Sequence, residues 1–395
     1  MIGRRLFLAG LAVTATAATA AAGIRQQVRL ELPAPTGPHR VGITDLHLID
    51  TSRPDPWAPE KPFRELMVSV RYPARRVGGH PVAPHMSRAL AEHFARTAAE
   101  GTVAIPPQIP VGTVDWAATR THSHRDAPVE LGGGPLPVLL HSPGHLMSRA
   151  FGSLLAEELA SHGYAVVALD HTHDPTEVEF PGGRIEVNRQ ADPESFETFK
   201  REMAIRVVDV GFVLDQLGSR ILPGALDLGS IGMYGHSLGG ATTAQSMHDH
   251  PRITAGVDLD GPLGTREDPW GTVVPEGLDQ PFLLFTADPS DQGHELISEF
   301  WSNLRGWRRA LQMVTAAHNS FNDLVVFAPQ LREAGVLSPQ QMDVLVGATD
   351  PADPRADAEA LRTYVRAFFD LHLRNRDEGL LDGPSPAYPQ VRFTG

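Results

Sequence analysis

A serine with a glycine two residues away on either side closes one short apolar run and opens a helix-forming one, as Gly235-His236-Ser237-Leu238-Gly239 within residues 230–241. On a sharp strand-to-helix turn the central side chain is carried above the sheet edge, and any side chain two positions away would collide with backbone. The helix that follows aims its first N–H groups at developing negative charge. This G-x-S-x-G therefore implies a nucleophile at Ser237 and an oxyanion donor in the backbone N–H of Leu238. The bland alternative is a glycine-rich turn with an incidental serine. The apolar run before it and the helical run after it weigh against that.

A serine hydroxyl is a weak nucleophile until a base removes its proton. In this strand–turn–helix setting the partners follow in the order serine, acid, histidine. Of the 18 histidines, His318 in residues 315–321 follows the last apolar run and is the expected base. His248 and His250 lie on the helix after the nucleophile, His294 opens a helix, and His372 sits inside the terminal helix. The acid stays open at this point. Asp258 and Asp260 end one apolar run and Asp288 ends the next, and spacing favours Asp260 and Asp288 equally. A second oxyanion donor should come from Ser142-Pro143-Gly144-His145-Leu146. Proline has no N–H, which leaves Gly144, His145 and Leu146.

These residues need a scaffold, and the chain from Leu136 onward supplies one. Short runs rich in Val, Leu and Ile (Leu136–His141, Tyr164–Asp170, Ser230–Tyr234, Ala255–Leu259, Phe282–Ala287, Ala310–Thr315) read as strands buried on both faces. Helices are expected between them at Ser148–His162, Glu194–Leu217, Leu238–His250 and Glu295–Leu304, with a last one at about Asp357–Arg374. Upstream, Val41–Ile49 and Leu66–Tyr72 read as two further strands. The implied architecture is the α/β-hydrolase fold, a mostly parallel sheet flanked by helices, in one domain over residues 36–395. Two segments break the alternation as insertions: 74–130, with a helix at Arg88–Ala99 and a Pro-rich turn at 106–110, and 172–193. Such insertions either border the site or decorate the surface, and nothing in them decides which.

Composition narrows the function further. The net charge is −13, which argues against nucleic acid or anionic lipid as a partner. There is no cysteine, so a thiol nucleophile and disulfides are excluded. His122-Ser123-His124 and His171-Thr172-His173-Asp174 carry the weak His-x-His pattern, but no metal and no cofactor is expected. Trp270, downstream of Asp260, is a candidate pocket wall, although a core or rim position is the more ordinary one. Residues 1–23 place Arg4 and Arg5 before an apolar, then Ala-rich, stretch. That order fits a cleavable twin-arginine export signal, which implies a secreted or envelope-located bacterial protein and a mature chain with no membrane span.

The ordered set of motifs resembles the plasma-type platelet-activating-factor acetylhydrolase family and its bacterial lipase- and esterase-like relatives. The similarity runs from Val41–Leu46 through Tyr72-Pro73, His141–Gly144, Leu159–Gly163, Gly235–Ala241, Gly256–Asp260, Gln280-Pro281 and His318–Asp323. The resemblance implies an acid at Asp260, with Asp288 in reserve, and a second oxyanion donor at His145. It also implies a serine carboxylester hydrolase acting through an acyl-enzyme on short or medium acyl esters, short-chain phospholipids among them. An acyltransferase, a peptidase or a long-chain or polyester lipase would use the same triad. A binding protein on a retired hydrolase fold typically loses the nucleophile or the base, and both stand here.

Overall fold

The computed structural model describes residues 27–101, 108–193, 195–265, 268–287, 294–347 and 354–395. The expected leader, Asp288 and part of the Pro-rich turn lie outside the described residues.

Among the described residues, eleven strands form one sheet. In chain order the first six are β1 Arg40–Asp50, β2 Arg64–Ala74, β3 Val82–Pro84, β4 Arg120–Arg125, β5 Leu136–Ser142 and β6 Ala165–Asp170. A separate hairpin, β7 Glu177–Phe180 and β8 Arg184–Val187, follows. The sheet resumes with β9 Leu226–His236 and β10 Ala255–Leu259. After a two-residue pair, β11 Gly264–Thr265 and β12 Asp268–Pro269, it ends with β13 Phe282–Thr286, β14 Arg308–Met313 and β15 Val391–Phe393. Its spatial order is β15-β14-β13-β10-β9-β5-β6-β2-β1-β4-β3. The stretch from β14 to β6 is parallel throughout, and β2 runs antiparallel to both β6 and β1. This is the α/β-hydrolase fold.

The helices are α1 Arg88–Glu100, α2 Ser153–Ser161, α3 Phe196–Gln216, α4 Leu238–Asp249, α5 Val273–Glu276, α6 His294–Asn303, α7 Leu324–Glu333, α8 Pro339–Val346 and α9 Pro354–Arg374. Alternate strand residues feed two cores. Val138, Leu140 and Val167 pack with Met203 and Val210 of α3 and Ala241 and Met247 of α4. Leu139, Val166 and Val257 pack with Leu155 and Leu159 of α2 and Tyr364, Phe368 and Phe369 of α9. With both faces covered, apolar residues are required at every strand position, which is why these segments read as continuous runs. α3 begins where Ser195 accepts the Thr198 N–H at 3.2 Å, a side-chain cap on an otherwise orphaned donor.

Differences from the sequence reading lie at the element ends, in the insertions, and in α5, α7, α8 and β15, which the sequence reading did not anticipate. β9 starts at Leu226 rather than Ser230, since its first five residues, Leu226-Asp227-Leu228-Gly229-Ser230, are only partly buried and interrupt the apolar run. The helix expected from Ser148 starts as a 3₁₀ turn, Arg149–Gly152, before α2. Insertion 74–130 contributes β3 and β4, which extend the sheet edge, and α1, whose Leu90 and Phe94 join a third core with Met147, Phe151 and α7. Insertion 172–193 first passes the loop after β5, where Thr176 N–H reaches Leu146 O at 3.3 Å, and then forms the β7–β8 hairpin. No helix among the described residues is long and apolar enough to cross a membrane.

Candidate active site

β9 ends at His236 and α4 begins at Leu238, leaving Ser237 alone in the turn with φ 56° and ψ −126°. A non-glycine residue at such a φ is strained and persists only where its surroundings over-determine it. Here they do. The Ser237 N–H is held by Leu259 O at 2.9 Å, and the Ser237 carbonyl takes the Gly240 N–H at 2.8 Å. The flanking glycines are steric necessities. A Cβ on Gly235 would stand 2.0 Å from Gly239 O, and one on Gly239 would stand 2.0 Å from Ser142 O. The second contact presses the elbow against the end of β5, and so against the loop expected to supply an oxyanion donor.

His318 opens a 3₁₀ turn, His318–Phe321, soon after β14. Ser320 pins that turn, because its Oγ takes the Ala317 N–H at 3.1 Å and donates to Val346 O at 2.8 Å. The imidazole lies between two partners: Nε2 is 2.9 Å from Ser237 Oγ and Nδ1 is 2.7 Å from Asp260 Oδ2. Asp260 follows β10 directly and has φ 57°, so the strand's alternation ends at Leu259. Its other oxygen, Oδ1, accepts the Ala287 N–H at 2.9 Å. The carboxylate is buried and the imidazole is about a third exposed. The structure therefore brings Ser237, His318 and Asp260 into one hydrogen-bonded line. Asp258 is set apart: it takes the Gly261 N–H at 2.8 Å, and burial pushes its carboxyl well above the usual carboxylate range.

His145 lies in the loop just after β5, where Leu146 turns at φ 59° and the Met147 N–H closes onto Gly144 O at 3.2 Å. Leu238 is the first residue of α4, whose leading N–H groups have no intrahelical acceptor. The helix start and the loop meet beside the serine turn, where Gly239 packs on the carbonyls of Ser142 and Pro143. The His145 Nδ1–H donates to Glu202 Oε2 at 2.8 Å.

Several residues here were not singled out by sequence. His236, inside the motif, donates from Nε2 to the His318 carbonyl at 2.8 Å. Glu202 and Arg206, one helical turn apart on α3, are buried beneath the loop after β5 with Asp174. For Asp174 a signal existed, since it closes the His171–Asp174 pattern and lies in insertion 172–193, a candidate border of the site.

The His-x-His pairs have ordinary partners. His171 joins Asp209 through Nδ1 at 2.9 Å and Ser142 Oγ through Nε2 at 3.1 Å, while His173 Nδ1 donates to Val187 O at 2.9 Å. His124 Nδ1 donates to His80 O at 2.8 Å, and His122 Nδ1 lies 3.4 Å from Glu157. Among the described residues, His145, Asp174 and Glu202 do bring ligand atoms within 4.8 Å of one another. The Arg206 guanidinium already spans both of those carboxylates.

No family model matches the chain. Over 92% of its length it is 32% identical to a probable 1-alkyl-2-acetylglycerophosphocholine esterase of Arthroderma benhamiae, covering 93% of that protein. A platelet-activating factor acetylhydrolase of Cavia porcellus is 23% identical over 48% of the chain and 49% of its own length. Among solved structures, a ferulic acid esterase from Streptomyces cinnamoneus superposes with a TM-score of 0.78 at 34% identity, over 93% of this chain and 99% of that one. With that fold and near-complete coverage by esterases, the chain is a carboxylic ester hydrolase and belongs to the platelet-activating-factor acetylhydrolase family and its esterase relatives.

Proposed function

We propose that the chain hydrolyses short- or medium-chain carboxylic esters through an acyl-enzyme on Ser237. The observation that carries this reading is the line Ser237–His318–Asp260, with contacts of 2.9 and 2.7 Å, on a serine turn that only this backbone geometry allows. Ser237 Oγ attacks the ester carbonyl while His318 Nε2 takes its proton. Asp260 holds the Nδ1–H tautomer and steadies the imidazolium. The backbone N–H groups of Leu238 and His145 receive the oxyanion, each worth ~2.7–4 kcal/mol in comparable sites. His318 then protonates the departing alcohol, and water deacylates the serine along the same path.

The Arthroderma relative is named for an acetylated glycerophosphocholine, which favours a small acyl group on a phospholipid-like alcohol. A second substrate class is favoured by one specific observation. The Streptomyces neighbour is titled for ferulic acid, and the His145 ring meets Phe199 edge-on at 4.8 Å, with Trp270 beyond it at 5.7 Å. An aryl acyl group would find aromatic partners there. Residues 36–395 are proposed to act as one catalytic domain, exported by the twin-arginine leader and released when residues 1–23 are cleaved. Recovery of a chain lacking that segment from the culture medium or cell envelope would support this, and retention inside the cell would reject it.

The decisive experiment on the chemistry is Ser237→Ala, assayed with p-nitrophenyl acetate and a fluorophosphonate label. Loss of a nucleophile in a comparable triad costs about 10⁶-fold in kcat. The variant is expected to be inactive, unlabelled and folded. Activity within about tenfold of the parent would remove the acyl-enzyme reading.

A further inference from the structure

One buried guanidinium grips the oxyanion loop from below. Arg206 Nη1 donates to Pro143 O at 2.5 Å and Nη2 donates to Gly144 O at 3.2 Å. Two carboxylates seat it: Asp174 accepts from Nε at 2.7 Å and from Nη2 at 2.8 Å, and Glu202 Oε1 accepts from Nη2 at 2.8 Å. The other oxygen of Glu202 takes the His145 Nδ1–H and the Gln190 side-chain N–H, both at 2.8 Å. Arg206, Asp174 and Glu202 are all almost completely shielded from solvent. A single rigid unit thus touches Pro143, Gly144 and His145 in succession.

Peptide geometry turns that grip into a direction. In a planar trans peptide the C=O and the N–H of the next residue point opposite ways. A donor fixed on Gly144 O therefore aims the His145 N–H away from Arg206, and a donor on Pro143 O does the same for the Gly144 N–H. The gripped peptides lie beside the serine turn, because a Cβ on Gly144 would stand 3.0 Å from Nδ1 of His236, the residue before Ser237. Oxyanion donors are effective only when aimed beforehand at where charge will develop.

We propose that Arg206, seated by Asp174 and Glu202, is a positioning residue that sets the direction of the oxyanion-loop N–H groups toward Ser237. This rests on the reading of Ser237 and His145 under the proposed function. The planar fork is essential to it: five N–H donors in fixed geometry serve two carboxylates and two carbonyls at once, which a lysine ammonium cannot. A merely structural ion network would support the fold without favouring the transition state over the ground state.

The test uses the full chain with Arg206→Lys and Glu202→Gln, and with Ser237→Ala alongside. Melting temperature, kcat and KM for p-nitrophenyl acetate, and Ki for an alkyl trifluoromethyl ketone are measured. The ketone forms a bond from Ser237 Oγ to its carbonyl carbon; the C=O electron pair becomes the oxyanion and the serine proton moves to His318. Ki therefore reports the oxyanion donors while KM for the ester reports mostly ground-state binding. For Arg206→Lys the expectation is a fall in kcat of about 10- to 100-fold, KM within about threefold, and Ki raised by the factor lost in kcat/KM. Glu202→Gln should show the same pattern at about three- to tenfold, and it carries the test if Arg206→Lys no longer melts cooperatively. Values of kcat within about twofold of the parent in the folded variants, or a fall in kcat with Ki unchanged, would overturn the proposal. If Ser237→Ala is dead while both other variants behave like the parent, only the positioning role fails; if Ser237→Ala stays active, the proposed function itself fails.

Discussion

The imidazole of His236 donates its Nε2–H to the backbone carbonyl of His318 at 2.8 Å, and the two rings lie 4.7 Å apart between centroids. The residue before the serine thus ties down the loop that carries its partner. A carbonyl can only accept, so the bond selects the Nε2–H tautomer of His236. Burial pushes the ring's pKa well below its ordinary value, which keeps it neutral.

That relationship predicts a split between two variants. His236→Ala removes the donor and leaves a buried carbonyl unsatisfied, at a cost of about 1–3 kcal/mol in stability and a fall in kcat as the His318 loop loosens. His236→Gln can keep an N–H on the same carbonyl and should retain most of both. Thermal melts and kcat on p-nitrophenyl acetate check this; equal damage from both would show that the hydrogen bond is not what matters.

The same residue carries a pH signature. Its folded pKa lies far below the unfolded value of about 6.5, so in that window the unfolded chain binds the extra proton and stability falls as pH falls. The contribution is complete above about pH 6.5 and is lost by up to about 1.4 kcal/mol per pH unit below it. In melts from pH 7.5 to 4.5, His236→Gln should therefore gain on the parent as the solution is acidified. A constant difference across that range would rule this out.

Asp260 and Asp258, two residues apart, should respond oppositely to the same substitution. The Ala287 N–H selects an oxygen at one end of the Asp260 side chain, so in Asp260→Asn the amide NH₂ is turned toward His318 Nδ1. That favours the unproductive tautomer, a change that cost about 10⁴-fold in a comparable protease triad. Burial already drives Asp258 toward its neutral acid, for which asparagine is a near-isostere. Asp258→Asn is expected within about threefold of parental kcat and Asp260→Asn down by about 10⁴-fold. The reverse ranking in steady-state kinetics would reassign the acid.

The candidate residues that the structure brings together were readable in sequence because their types are scarce at the right places: one glycine-flanked serine after an apolar run, and one histidine in the loop after a late apolar run. β10 was readable to its ends because both faces are covered and its neighbours are polar. Asp260 could not be separated from Asp288 by spacing, since the left-handed backbone that follows Leu259 leaves no periodic trace. The buried charges beneath the loop after β5 were the least readable. Glu202, Arg206 and Asp209 recur at helical spacing along α3, a pattern shared with any solvated face. Only the inward packing of α3 against Asp174, Arg64 and His171 shows that this stripe is buried.

The elbow glycines give a purely steric prediction. Gly239→Ala would place its Cβ 2.0 Å from the Ser142 carbonyl, a backbone atom that cannot step aside. Overpacking of this kind costs about 1–3 kcal/mol and would push the oxyanion loop from the serine turn, so stability and kcat should fall together. Gly133→Ala meets nothing within 4 Å and serves as the neutral control. An active Gly239→Ala with a parental melt would contradict the packing described here.

The final prediction concerns what the acyl side will accept. Phe199 and Trp270 are both buried, Phe199 stands against His145, and the Trp270 backbone N–H is fixed to Leu263 O at 3.1 Å, three residues beyond Asp260. Bulky side chains anchored this close to the oxyanion loop and the acid should form the end wall of the acyl pocket. Each methylene that fits adds about 0.8 kcal/mol, close to fourfold in kcat/KM, until the wall is met. Across p-nitrophenyl esters from acetate to palmitate, kcat/KM should therefore rise briefly and then break at short or medium length, unchanged by chelator because the triad uses no metal. Trp270→Ala should move the break toward longer chains while leaving acetate hydrolysis within about threefold. A steady rise to palmitate in the parent would mean an open groove. A break unmoved in Trp270→Ala would place the wall elsewhere, and activity lost on chelation would call for different chemistry altogether.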